Sequence, residues 1–296
     1  MKLFIGQQMV LPALESVRLG KTRSEAAATL TATVLTAPAD TYFLKLSVAV
    51  GDPVRLLDDE GKEVFLGSVH ELEREPEAVA LTAYDRGVYL TRNEIYGVYA
   101  GTGKTIAAKI AGELGIPLGA VEDDGLRRTI VTGAGMSAFS VLRRAVGEGR
   151  EVAIRDGALT VTKGGGNAVL LRPERVLEVT SRASIRSMVN QAVVVGRNGN
   201  RLASAENSGD ADAYGRFQKV IGKDGDPASQ AKAALKGRTM SARVTLLGDL
   251  AYRCGGTVRV DRPQWGLEGL YTVTAHEHRW EKGFFTTALS LEGCNE

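Results

Sequence analysis

The chain has 296 residues, 37 Lys plus Arg against 35 Asp plus Glu, and a formal net charge of +2. That length predicts two or three domains rather than one core, and the near-neutral balance excludes the broad positive field that draws proteins to nucleic acid or anionic lipid. Cys254 and Cys294 stand outside any Cys-x-x-Cys pattern and are expected as reduced thiols, while Met1–Leu14 lacks the apolar run of a secretory signal or membrane anchor.

From Leu30 to Ala83 the apolar residues alternate with polar ones. The pattern predicts strands at Leu30–Leu35, Phe43–Leu46, Val54–Leu56, Val64–Val69 and Val79–Ala83. Turns at Gly51-Asp52-Pro53 and Asp59-Glu60-Gly61-Lys62 separate the later ones, and 35 glycines with few aromatics suit many short strands. Over Gly101–Gly115 the period changes to three and four (Ile106, Ala107, Ile110, Ala111, Leu114), which predicts a helix capped by Thr102 and stopped by Gly115 and Pro117. A second helix is expected over Ser137–Val146, with Phe139, Leu142 and Val146 inward. Val152–Val161 then reads as a hairpin about Asp156-Gly157.

Lys163-Gly164-Gly165-Gly166-Asn167 reads as a flexible break. Strands are predicted at Val176–Thr180 and Ala192–Val195 around a polar segment, Ser181–Asn190, and an exposed loop over Gly196–Tyr214. A short helix follows, with Asp226 as cap, Pro227 in its first turn, Ala231, Ala234 and Leu235 inward and Gly237 as stop. Closing strands are expected at Ser241–Leu246, Gly256–Val260, Gly269–His276 and Phe285–Leu291.

Positions 51–74 and 255–278 align without a gap: Gly51 falls on Gly255, Val54 on Val258, Arg55 on Arg259, Leu66 on Leu270, Val69 on Val273 and Glu73 on Glu277. Each copy continues into a Thr/Leu strand, Ala78–Ala83 or Thr286–Leu291. We read this as duplication, the alternative being that turn glycines and valine alternation align unrelated hairpins. The fold class expected is α+β, mainly β, with two similar antiparallel barrels flanking a small helix–helix–hairpin module. The divisions expected are 1–99 (first barrel), 100–165 (module), 166–240 (linking segment) and 241–296 (closing part of the second barrel).

Several patterns resemble chemical sites. Gly101-Thr102-Gly103-Lys104-Thr105 heads a helix, but a phosphate loop needs a glycine where Val98 stands, and Gly97 is one residue too far. Val152–Asp156 does not supply the apolar strand that ends in a magnesium-binding aspartate. His276 and His278 could offer two metal ligands, with Glu277 and Glu281 nearby, yet no third ligand is positioned and His70 lies in the other copy; half-exposed barrel histidines are the simpler reading. Glu71, Glu73, Glu75 and Glu77 could be imagined as glycosidase acids but read as the solvated rim of a strand beside Pro76. No Gly-x-Ser-x-Gly elbow is present, the three histidines have no evident serine or cysteine partner, and Arg127-Arg128 and Arg143-Arg144 lack the aromatics of a nucleic-acid platform. Trp265 and Trp280 are too few for a sugar-binding surface. The expectation is therefore no catalytic, cofactor-binding or metal-binding residue.

The order of parts resembles a known family. The residues that carry it are Ile106–Ile110 before Gly115-Ile116-Pro117-Leu118-Gly119, the Asp-Gly hairpin, Ser187-Met188-Val189-Asn190-Gln191-Ala192-Val193-Val194, Tyr214-Gly215-Arg216-Phe217-Gln218, the Ala-rich helix and the closing strands. Over nearly its whole length the chain is similar to the XkdQ/YqbQ-type baseplate hubs of phage tails and contractile tail-like particles, related in architecture to the late control protein D family. The resemblance implies a non-enzymatic homotrimer in a virion or tail-like particle, made in the bacterial cytoplasm. Its two tube-like barrels per subunit would match the hexameric tail tube protein on one side and the central spike on the other, with other baseplate proteins around it. DNA or cargo would pass through its channel without sequence-specific binding, and nothing would insert in a membrane. The competing classes are a P-loop-like enzyme at Lys104, a cell-wall hydrolase near Glu71–Glu77, and a wall-binding β-module.

Overall fold

A computed structural model of the chain describes residues 1–37, 39–147, 149–163 and 168–293. The strands are β1 (Lys2–Ile5), β2 (Gln8–Met9), β3 (Leu14–Thr22), β4 (Thr29–Leu35), β5 (Pro53–Leu57), β6 (Glu63–Arg74), β7 (Ala78–Asp85), β8 (Glu94–Gly101), β9 (Leu118–Val121), β10 (Arg128–Ser137) and β11 (Arg150–Arg155). They continue with β12 (Ala158–Lys163), β13 (Val169–Leu170), β14 (Val176–Ser184), β15 (Gln191–Val195), β16 (Arg201–Glu206), β17 (Gln218–Gly222), β18 (Thr239–Leu247), β19 (Thr257–Arg262), β20 (Leu267–Glu281) and β21 (Phe284–Gly293). The helices are α1 (Gly87–Arg92), α2 (Gly103–Glu113), α3 (Ala138–Val146), α4 (Ser208–Tyr214) and α5 (Pro227–Ala233).

Strand predominates, and both ends of the chain share one curled sheet. Its 13 strands run β14-β18-β21-β20-β3-β4-β7-β6-β5-β1-β2, with β19 beside β20 and β13 on β19. One face is apolar because the strands alternate: Leu30, Ala32 and Val34 of β4 are buried while Thr29, Thr31 and Thr33 are only partly so. The apolar face carries two cores, one under β1–β7 and one under β18–β21 with Leu171, Val176 and Val179. A third core, built on α2, α3 and the hairpin β11–β12, belongs to the module between them.

The strand pairing repeats. Pro53 pairs with Ser68, Val54 with Gly67 and Arg55 with Leu66; moving 204 positions, from Pro53 to Thr257, the pairs are Thr257 with Thr272, Val258 with Tyr271 and Arg259 with Leu270. A bulge falls at His70 between β6 and β7 and at the corresponding Thr274 between β20 and β21. Gly51 and Gly255, both at positive φ, donate to the carbonyls of Val69 and Val273. Short 3-10 turns, Leu11–Ala13 and Pro173–Arg175, lead into β3 and β14, each irregular after its first residue. The spatial orders β3-β4-β7-β6-β5 and β14-β18-β21-β20-β19 therefore correspond strand for strand.

Local signals placed several elements correctly. The Thr102 hydroxyl accepts from the Thr105 amide at the start of α2, Gly115 has φ +64 after it, Ser137 caps α3, and Asp226 caps α5. Asp156 and Gly157 both have positive φ, as a two-residue hairpin turn requires.

Other expectations need correction. Phe43–Leu46 is not a strand: the Gln8 side-chain amide donates to the Lys45 carbonyl and accepts from the Ser47 amide, engaging two backbone groups that a ladder would use. Gly196–Tyr214 is not a loop, since β16 pairs with β15 and Asn207 caps α4. The polar stretch from Ser181 contributes to β14, which reaches Ser184 along β18. Helix α5 ends at Ala233 with Ala234 as its C-cap, before Gly237. The two longer helices are separated by β9 and β10, and the module also contains β8, in a ladder with β10. The break at 163–167 falls, from Gly164 on, outside the described residues, as does Cys294.

Candidate assembly interface

The two repeats join through β20. Its first half pairs with β19, and its second half turns to β3, with Ala275 opposite Thr22, His276 opposite Lys21, Glu277 opposite Gly20, His278 opposite Leu19, and so on to Glu281 opposite Ser16. Toward the core, Trp280 packs against the first core and stacks on Phe285, with centroids 4.3 Å apart and planes at 8°.

Beside these lies a buried polar knot. Lys21 donates to Glu151 Oε1 at 3.0 Å and to the Val152 carbonyl at 3.1 Å; Lys21 is 8% exposed and Glu151 2%. The pair ties β3 to β11 of the module. The Cys254 amide donates to His276 Nδ1 at 2.9 Å, and His278 Nδ1 lies 3.0 Å from Thr287 Oγ1. Burial holds the His276 pKa down at about 3, with His278 adding to the effect, and that of His278 at about 4, so both rings are neutral near pH 7. Burial lifts the Asp85 carboxyl to about 6 against the opposing donation of backbone amides, and lifts the Cys254 thiol to about 12. A cavity touches Lys21, Asp85, Cys254, His276 and His278. With a protonated thiol, two neutral rings already engaged and an ion pair, the arrangement holds parts of the chain together and presents no activated nucleophile.

Elsewhere the same strand edges are open. Among the described residues β14 is the last strand of the sheet and pairs with β18 alone. Its counterpart β3 buries Val17, Leu19 and Lys21, whereas β14 buries none of its residues and exposes Ser181, Arg182 and Ala183. β5 pairs with β6 only as far as Ser68, so Glu71–Arg74 have β7 on one side and no strand on the other among the described residues. Glu71, Glu73 and Arg74 are exposed, while the matching half of β20, covered by β3, is mostly buried or half-buried. Exposed edges of this kind are templates for another chain.

The residues singled out from sequence fall as follows. The exposed Lys104 begins α2, but its amide donates to Asp123 Oδ2 at 2.6 Å. That bond holds the Asp123 pKa down. A carboxylate therefore occupies the helix start where a phosphate would sit. His278 is 1% exposed, not a half-exposed barrel residue; its neighbours Tyr252, Phe285 and Trp280 enclose it because two repeats meet there. Among the described residues no three or more His, Cys, Asp or Glu are placed to hold a metal. Glu71, Glu73, Glu75 and Glu77 are exposed on β6 and its turn. Arg128 is bound to Asp124 and the Ala145 carbonyl, while Arg127, Arg143 and Arg144 are exposed. Sequence reasoning missed β3, Lys21, Asp85 and Glu151. The Val17, Leu19 alternation was the available signal for β3; nothing local links Lys21 to Glu151.

The architecture is shared with solved phage tail proteins. A 43 kDa tail protein of prophage MuSo2 from Shewanella oneidensis superposes with a TM-score of 0.73 at 15% identity, covering 98% of this chain and 96% of that one. A tail protein from Neisseria meningitidis MC58 gives 0.72 at 13% identity, covering 99% and 95%. A type VI secretion system component from E. coli, described as structurally similar to T4 bacteriophage tail proteins, gives 0.63 at 10% identity, covering 100% and 78%. No curated protein matches the chain. The family model described as YQBQ-like matches residues 17–292, and the chain belongs to that family.

Proposed function

We propose that the protein is a structural hub at the tip of a phage tail or contractile injection particle. Three copies would form a ring that adapts the hexameric tail tube to a central spike. The observation that carries the reading is the repeat: the same strand order, register and bulge occur twice in one chain. Three such chains present six near-equivalent units, which can seat on a sixfold ring while remaining threefold elsewhere. In this reading residues 1–99 form one tube-like unit, 100–165 the small module and 241–296 the closing part of the second unit. β13 and β14 are added to that second unit from the 166–240 linking segment.

The polar face of the sheet, with Arg18, Thr31, Thr33 and Thr82 beside Glu71 and Glu73, would line the channel. Its mixed small and charged side chains suit passage of DNA or cargo without sequence-specific readout. Spike and baseplate partners, a place in the particle and the absence of catalysis belong to the same proposal. The names of the tail and secretion proteins above support it, as does the carboxylate at the start of α2, which disfavours the P-loop alternative. No helix among the described residues is long and apolar enough to cross a membrane.

Electron microscopy of the native particle, with the mass of the purified hub, tests the reading. The expected result is a threefold ring at the tail tip, with contacts above about 2,000 Å² per interface. Images of assembled particles with this chain outside the tail tip, or present in a number other than three, overturn it.

A further inference from the structure

We infer that the outer edge of β6, from Glu71 to Arg74, pairs with the free edge of β14 in a second copy of this chain, antiparallel, in one definite register. The inference rests on the ring proposed above and supplies its subunit contact. Its template lies inside the molecule, where β20 pairs with β3. Because β6 corresponds to β20 and β14 to β3, each internal pair maps onto an external one. Ala275 opposite Thr22 becomes Glu71 opposite Ser184 of the second copy, His276 opposite Lys21 becomes Leu72 opposite Ala183, and Glu277 opposite Gly20 becomes Glu73 opposite Arg182.

Three observations support this occupant. Both edges lack a strand partner among the described residues, and they are the two edges the repeat would leave open if units followed one another in a row. Leu19, Gly20, Lys21, Ala275 and His278, buried or half-buried at the internal seam, have exposed counterparts at the free edges in Ser181, Arg182, Ala183, Glu71 and Arg74, as expected where one covering strand is missing. The register also sets Glu73 against Arg182 on the polar face, an opposite-charge pair directly across the ladder. The contact joins unlike edges, head to tail, and such a contact generates a ring when the rotation from one copy to the next closes, as the threefold hub proposed above requires.

The two seams differ in chemistry. The internal one is locked by the Lys21–Glu151 pair and the two neutral histidines, whereas the equivalents of Lys21 and His276 at the free edges are Ala183 and Leu72. That suits one junction fixed at folding and another formed at assembly.

Cysteine pairing in the full chain tests the register, with Cys294 replaced by serine and Cys254 left in its buried site. Residues directly opposite in an antiparallel ladder have Cα atoms about 4.5–5.5 Å apart, within disulfide range, while partners displaced by two residues do not. Glu73→Cys with Arg182→Cys is expected to give covalent trimer on mild oxidation, with about tenfold less product from Glu73→Cys with Thr180→Cys. Threefold rings by microscopy without the in-register cross-link, or with equal cross-linking of the displaced pair, overturn the register and leave the hub reading standing. No trimer in solution or in assembled particles overturns both. Glu73→Arg is expected to weaken ring formation about tenfold and Arg182→Glu in the same chain to restore it; failure of the second change to restore it also counts against the pairing.

Discussion

Replacing Lys21 by methionine removes one half of an ion pair from a site where water cannot substitute. Glu151 is 2% exposed and its Oε1 has Lys21 at 3.0 Å. A buried carboxylate stripped of its counter-ion costs about 3–5 kcal/mol, most of it desolvation no longer offset. That is a large share of the roughly 5–15 kcal/mol by which domains are stable. Because the pair joins β3 to β11, the loss is expected first as detachment of the module. Urea unfolding followed by circular dichroism should show the lowered stability, and hydrogen exchange should quicken by about two to four decades in β11 and β12. Lys21→Met with Glu151→Met leaves no buried charge and should recover to within about 1 kcal/mol of the parent. A single substitution costing under about 1 kcal/mol, or a double variant as unstable as the two singles combined, would refute the reasoning.

Further outcomes follow from the same geometry. His276 and His278 are depressed to about 3 and about 4, so as pH falls below about 6.5 the unfolded chain takes up protons first. Their contribution is complete above that pH and is lost down toward 4 for His278 and toward 3 for His276. Asp85, raised to about 6, acts in the opposite sense, favouring the fold as acid is added through 6 toward 4. The net expectation is a loss on the order of 2 kcal/mol between pH 7 and pH 5, measured as a urea midpoint, with a flatter profile in the His276→Gln, His278→Gln variant. Gly67→Ala should cost about 1–3 kcal/mol, because its Cβ would stand 2.3 Å from the Tyr84 carbonyl oxygen and 2.6 Å from the Phe65 ring. Isothermal titration of nucleoside triphosphate with magnesium should give no measurable heat for the parent or for Lys104→Ala. A binding isotherm lost on substitution would revive the phosphate-loop reading.

How much of this could be read from the chain depends on the range of the interaction involved. The caps of α2, α3 and α5 and the Asp156-Gly157 turn are set by residues within three or four positions, and sequence located them. The likeness of 51–74 to 255–278 was also legible, since turn glycine and alternation are local; the structure adds identical register and bulges. β3 was missed because its buried stripe ends in a lysine, which reads as solvent-facing until its partner 130 residues away is known. Phe43–Leu46 alternates like a strand, yet a glutamine side chain takes the hydrogen bonds that a neighbouring strand would supply.

Sequence by itself located the helix caps, the Asp156-Gly157 turn and the likeness of 51–74 to 255–278, because backbone preference and alternation act over a few residues. Tertiary structure alone decided that both repeats share one sheet, that His278 lies buried at their seam, and that the edges of β6 and β14 have no further strand partner among the described residues. Strand pairing joins residues hundreds of positions apart, and which edge is left without a partner is fixed only when every other strand has found its own.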